Sequence, residues 1–145
     1  MSSGVPTQSL LAHLKTPTQQ FARAPIGTVA ARNMRAYADV LTRIAILQKN
    51  ALAKSEAEAA LKVLSSAKEI TATAYAAFLK KHFAAIRRIV ASHSAAAQGS
   101  DPFDIVGALK ELDTAIAAGN TDALAAAHNA LNERLDAHLT MLVRP

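Results

Sequence analysis

Cysteine and tryptophan are absent from this 145-residue chain, and its aromatics number only six: Phe21, Tyr37, Tyr75, Phe78, Phe83 and Phe103. Without cysteine there is no disulfide framework, no thiolate-bound metal and no thiol nucleophile. Acid is also missing over a long stretch, with none before Asp39 and only that one before Glu56. Neither glycine nor proline occurs from Thr28 to Gln98, so no residue in that span obliges a helix to break. Long apolar runs are lacking as well. The richest, Ile70 to Leu79, is closed by Lys80-Lys81, so no bilayer-spanning helix is expected. Residues 1–25 lack a basic stretch followed by an apolar core, and no secretion leader is expected there. These absences point to a soluble or assembled protein.

What is present is helical vocabulary. Alanine supplies 34 residues, and Leu, Lys, Glu and Arg make up much of the rest. The expected fold class is all-α: a basic N-terminal arm with short helices, then an Ala-rich bundle of about four helices. Alanine faces allow close helix approach but bury little area each, so such helices call for neighbours. The length suits one domain, divided here into an arm at 1–27 and a bundle at 28–145.

The formal charge of +5 conceals a gradient: residues 1–54 carry +6, residues 55–100 carry +3 and residues 101–145 carry −4. Like charges gathered on one part of a chain repel one another unless something anionic meets them, so the gradient speaks about partners.

The arm holds Pro6, Pro17 and Pro25 among Ser, Thr and Gln, with short helical turns possible at 9–15 and 17–24. Thr28 is the expected cap of the first long helix, with Met34, Tyr37, Leu41, Ile44 and Leu47 or Gln48 along one face. A capping-box pattern at Ser55-Glu56-Ala57-Glu58 predicts a new helix there, and Ser66-Ala67-Lys68-Glu69 predicts a kink or restart. The next stripe is Tyr75, Phe78, Phe83, Ile86 and Ile89, fading in Ser94–Ser100. Asp101-Pro102 opens a helix striped by Ile105, Leu109, Leu112 and Ile116 and closed at Gly119-Asn120. A final helix, capped by Asn120 or Thr121, runs to about Val143.

Two basic constellations stand out. On a continuous helix, Arg32, Arg35, Arg43 and Lys54 would fall within about 100° of one another, with Asp39 and Asn50 in the same stripe. Arginines at one-turn spacing can follow a phosphate backbone, though Asp39 lies four residues from both Arg35 and Arg43 and would partly neutralise them. Lys49 extends the set, and Lys15 and Arg23 add charge from the arm. The second constellation is Lys80, Lys81, Arg87 and Arg88, sharing a sector of roughly 120° while Phe83, Ile86 and Ile89 look elsewhere. Both also fit an ordinary solvated face. No aromatic interleaves with the bases on the polar side, so stacking on single strands gains no support. Contacts to phosphate would ignore sequence and weaken with salt.

Histidines 128 and 138 lie on an apolar seam with Leu124, Leu131, Leu135 and Leu142. Ten residues of helix separate them by about 15 Å, too far for one metal ion, so hydrogen-bonded interface histidines are expected instead. There is no HExxH, no Gly-rich phosphate loop and no Gly-x-Ser-x-Gly elbow. No enzymatic activity, cofactor, metal or small-molecule substrate is expected.

The layout resembles the major capsid proteins of rod-shaped and filamentous archaeal viruses (the rudivirus, lipothrixvirus and tristromavirus kinds). The matching features are the acid-free stretch before Asp39, the Pro17 and Pro25 breaks, the Arg32/Arg35/Arg43 helix and the Ala-rich body from Ala51 onward. The resemblance implies a coat protein that wraps linear double-stranded DNA, held in the A form, without reading its bases. It also implies assembly with copies of itself, or with a second related capsid protein, into a helical filament. Its location would then be the virion, and the host cytoplasm during assembly. A charged content of 19% is low for a protein of a hyperthermophile. The alternative from another class is a coat or scaffold without nucleic acid, of the phasin-like granule or flagellin-like filament kind.

Overall fold

The computed structural model describes residues 26–66 and 70–143. The arm, with Lys15 and Arg23, lies outside the described residues. Five helices are present among them: α1 (Ile26–Gln48), α2 (Ala51–Ser66), α3 (Ala72–Ala96), α4 (Ile105–Ala118) and α5 (Thr121–Leu142).

Each junction has a local cause. Helix α1 ends where Lys49 turns left-handed at φ 53°. The Asn50 amide then reaches back to the Ala45 carbonyl at 3.2 Å, closing the wide loop that ends many helices. Asn50 next caps α2, its Oδ1 accepting from the Ala53 amide at 3.0 Å. Thr71 caps α3 through the Ala74 amide at 3.1 Å. Helix α3 stops at a left-handed pair, Gln98 (φ 58°) and Gly99 (φ 79°). Two aspartates then open α4. Asp101 accepts from the Ile105 and Val106 amides, and Asp104 accepts from Gly107. A Cβ on Gly107 would stand 2.2 Å from the Asp104 carboxylate, so this cap needs glycine at its third position. Gly119, left-handed at φ 71°, ends α4, and Asn120 caps α5.

Side-chain pairings give the directions. Asn33 and Gln48 of α1 bond to Tyr75 and His93 of α3, in the same order along both helices. Asn33 meets Ala125 on α5 while Arg43 meets Asp136. Helices α1, α3 and α5 therefore run one way, and α2 and α4 return between them.

Apolar stripes at helical spacing explain this bundle. Val29, Met34, Tyr37, Leu41 and Ile44 of α1 are buried against Tyr75, Leu79, Ile86 and Ile89 of α3 and Leu124, Leu131, Leu135 and Leu139 of α5. Helix α2 contributes only small side chains to the innermost core, Ala53, Ala57 and Ala60. Its closest association is with α1, to which the two-residue turn ties it. Methyl groups bury little area apiece, and the partly buried Leu52, Val63 and Leu64 add the larger apolar contacts that hold α2 to the core.

The all-α expectation holds, with corrections to its detail. Five helices replace four because the second expected helix is two: α2 ends at Ser66 and α3 opens at Ala72 under the Thr71 cap, where a kink or restart was expected. Ser55 lies inside α2, and the helix start belongs to Asn50. Helix α1 already includes Thr28, which is therefore no cap. Helix α4 opens at Ile105, capped by Asp104, rather than at Asp101-Pro102. The α1 stripe ends at Ile44, for Leu47 is 46% exposed and Gln48 turns to a histidine.

Candidate functional site

The turn at Lys49-Asn50 changes the first basic constellation. Arg32 and Arg35 stand exposed on α1, but Lys54 lies on α2, which folds back beside α1. The expected single row from Arg32 to Lys54 is therefore two shorter groups joined by Lys49 at the turn. Arg43 is already engaged. Its guanidinium bonds to Asp39, one turn back at 3.2 Å, and to Asp136 on α5. A cation between two carboxylates is the least available of the set for phosphate.

The second constellation survives as a surface. Lys80, Lys81, Arg87 and Arg88 are all exposed on α3, and the Arg87 guanidinium lies over the Phe83 ring at 5.5 Å. Lys62 on α2 is exposed too, a cation that the stripe arguments passed over.

Together, α1, α2 and α3 present nine exposed cations that form no ion pair among the described residues: Arg32, Arg35, Lys49, Lys54, Lys62, Lys80, Lys81, Arg87 and Arg88. Carboxylates on the same helices are largely occupied. Asp39 pairs with Arg43, and Glu56 is buried against His82, its Oε1 2.7 Å from Nδ1. Only Glu58 is exposed and unpaired there. Helices α4 and α5 have the opposite character, with Glu111, Asp113, Asp122 and Glu133 exposed.

A second arrangement, missed by motif reading, lies inside. The Asn33 side-chain amide donates to the Tyr75 hydroxyl at 3.0 Å and to the Ala125 carbonyl at 2.9 Å. That hydroxyl also hydrogen-bonds His128 Nδ1, 2.7 Å away. The imidazole has its Nε2 buried with no hydrogen-bond partner among the described residues. Complete burial pushes its pKa down to about 3, and burial likewise raises the Tyr75 phenol. Asn132 adds a donor to the Asn33 backbone carbonyl. Near the other end, Gln48, His93 and His138 form a chain, with His93 Nε2 2.9 Å from His138 Nδ1. Burial first, and the His138 ring second, lower the His93 pKa.

His128 and His138 are therefore hydrogen-bonded, but within the core of one chain and to different partners. Among the described residues no three His, Cys, Asp or Glu side chains converge as a metal-binding group would. The sequence did carry a signal for this network: Asn33 sits one turn before Tyr37 on the apolar stripe of α1, and Asn132 adjoins Leu131 on that of α5. No protein-family model matches the chain, and no significant match is found among curated proteins or solved structures.

Proposed function

We propose that this protein is a non-enzymatic structural nucleoprotein. It coats double-stranded DNA through phosphate contacts from the α1–α3 surface and from Lys15 and Arg23, and it associates with copies of itself into a helical filament. That is the role of the archaeal virus coat proteins it resembles in layout, and the virion is its proposed location. The observation that carries this reading is the charge imbalance of α1–α3 and the Lys49 turn: among the described residues, nine exposed cations in no ion pair stand against one exposed unpaired carboxylate, Glu58. Such an imbalance attracts a polyanion. The anionic α4–α5 surface leaves the other side of the subunit free of competition for DNA.

A second reading, a scaffold without nucleic acid, draws support from a different observation. Ile46, Leu47, Leu61, Met141, Leu142 and Val143 are large apolar residues left exposed. They favour protein contacts whether or not DNA is present.

The test is equilibrium binding to double-stranded DNA fragments of unrelated sequence over a range of salt. Wild-type protein is expected to bind all fragments alike. Arg87→Ala with Arg88→Ala, and separately Arg32→Ala with Arg35→Ala, should each weaken binding uniformly and lower the salt slope by roughly 2. No binding at about 50 mM salt would remove the nucleoprotein reading and leave the scaffold.

A further inference from the structure

The exposed apolar residues around the end of α1 have an arrangement of their own. Ile46 is 74% exposed and stands as a ridge between two concavities. The larger, about 610 Å³, runs between α1 and α2 and is lined by the small side chains Ala45, Ala51 and Ala57, with Leu61 beside them at 50% exposure. Its polar lining includes Lys54 and Glu58, one turn apart on α2, neither of them in an ion pair among the described residues. The cleft exists because the facing residues are alanines, while the residue next to it is a large side chain with nothing to enter.

A knob beside a hole, with a cation and an anion one turn apart along the hole, is self-complementary. A two-fold axis crossing α2 between Lys54 and Glu58 sets each copy's lysine against the other's glutamate. An unrelated acidic helix would gain Lys54 but set its charge against Glu58, and a lipid carboxylate would face the same mismatch. A second copy satisfies both.

We infer that this face is a two-fold contact between copies of the chain, with Ile46 of each seated in the α1–α2 cleft of the other and Lys54 paired to Glu58 across the axis. The inference rests on the self-association half of the proposed function and gives it a surface.

Sedimentation velocity over a concentration series, without DNA, tests it. The wild-type chain should dimerise. Ile46→Lys should be monomeric, since it sends a cation into a cleft rimmed by Lys49 and Lys54. The same charge suits the C-terminal end of α1, so helicity by circular dichroism should be unchanged. Lys54→Glu and Glu58→Lys should each weaken the dimer by roughly tenfold or more, and the two together in one chain should restore it. A wild-type chain that stays monomeric up to about 0.5 mM overturns the inference. So does an Ile46→Lys chain that still dimerises, or a double reversal no better than either single one. A dimer that fails to bind DNA overturns only the nucleoprotein reading, and a monomer that binds DNA overturns only this interface.

Discussion

Asn33, Tyr75 and His128 form a buried hydrogen-bonded chain, and that makes single substitutions costly. Tyr75→Phe keeps the ring but leaves an Asn33 donor and His128 Nδ1 unpaired in the core. Each orphaned group costs about 1–3 kcal/mol, so a loss of about 2–4 kcal/mol is expected in a denaturant titration. Adding His128→Leu should cost less than the sum of the two single changes, because the second change removes a group the first had orphaned. The buried ring also dictates a pH response. His128 has an ordinary pKa near 6.5 when unfolded and about 3 when folded, and no charged group faces it, only Tyr75, Tyr37 and the Asn33 amide beyond. A folded-state pKa below the unfolded one means that the unfolded chain takes up the proton first. The stability associated with this residue is complete above about pH 6.5 and is lost progressively as pH falls toward 3, by about 1.4 kcal/mol per unit. His93, lowered in the same direction, steepens the fall. Thermal melts from pH 7 to pH 4 should show it, and His128→Leu should flatten the curve.

The helices themselves divide into boundaries that were legible and boundaries that were not. Gly119 and Asn120 both lie where the sequence placed a stop and a cap, because glycine tolerates the left-handed turn and asparagine the cap. The α1–α2 break was legible only in part: a new helix was expected at Ser55 and opens at Ala51, because the left-handed residue is Lys49, which carries no mark of a helix stop. The turn persists because Asn50 caps α2 and because the two helices then bury their faces against each other. The same economy of signal recurs at the end of α3, where Gln98 takes a left-handed conformation ahead of Gly99. Gln98→Gly should therefore stabilise the protein by about 1 kcal/mol, read as a rise in melting temperature with no change in helicity. Helix α2 shows a second limit. Apart from Glu56 its buried residues are alanines, which recur so widely in this chain that their spacing marks no particular face.

Across the whole molecule the charge gradient becomes a division between surfaces. Among the described residues, α1–α3 and the turn at Lys49 carry all the free cations but Lys110, and α4–α5 most of the free carboxylates, yet the two halves are not sealed from each other. Arg43 reaches from α1 to Asp136 on α5, and Arg134 of α5 lies 3.7 Å from the Asp104 carboxylate at the head of α4. Part of the gradient is thus spent within the subunit, and Arg43 acts as a tie between α1 and α5. Exposed pairs of this kind contribute about 0–1 kcal/mol, so the tie is weak by itself. The remaining cations should dominate the salt response of DNA binding. Under the proposed phosphate contacts, Arg87→Ala with Arg88→Ala should lower the slope by roughly 2 whatever the fragment, since phosphates carry no base sequence.

By itself the sequence determined the helical class, the apolar stripes of α3 to α5, most of the α1 stripe and the polarity of charge. All of these follow from residue type and from spacing along one helix. Only the tertiary structure decided that Lys54 leaves the row of Arg32 and Arg35, and that Arg43 is tied to Asp136. It alone showed that Asn33, Tyr75 and His128 share one hydrogen-bonded chain, and that Ile46 stands beside an empty-walled cleft of alanines. Each of these depends on which helices become neighbours, and a two-residue turn at Lys49-Asn50, invisible to periodicity, redirects everything after it.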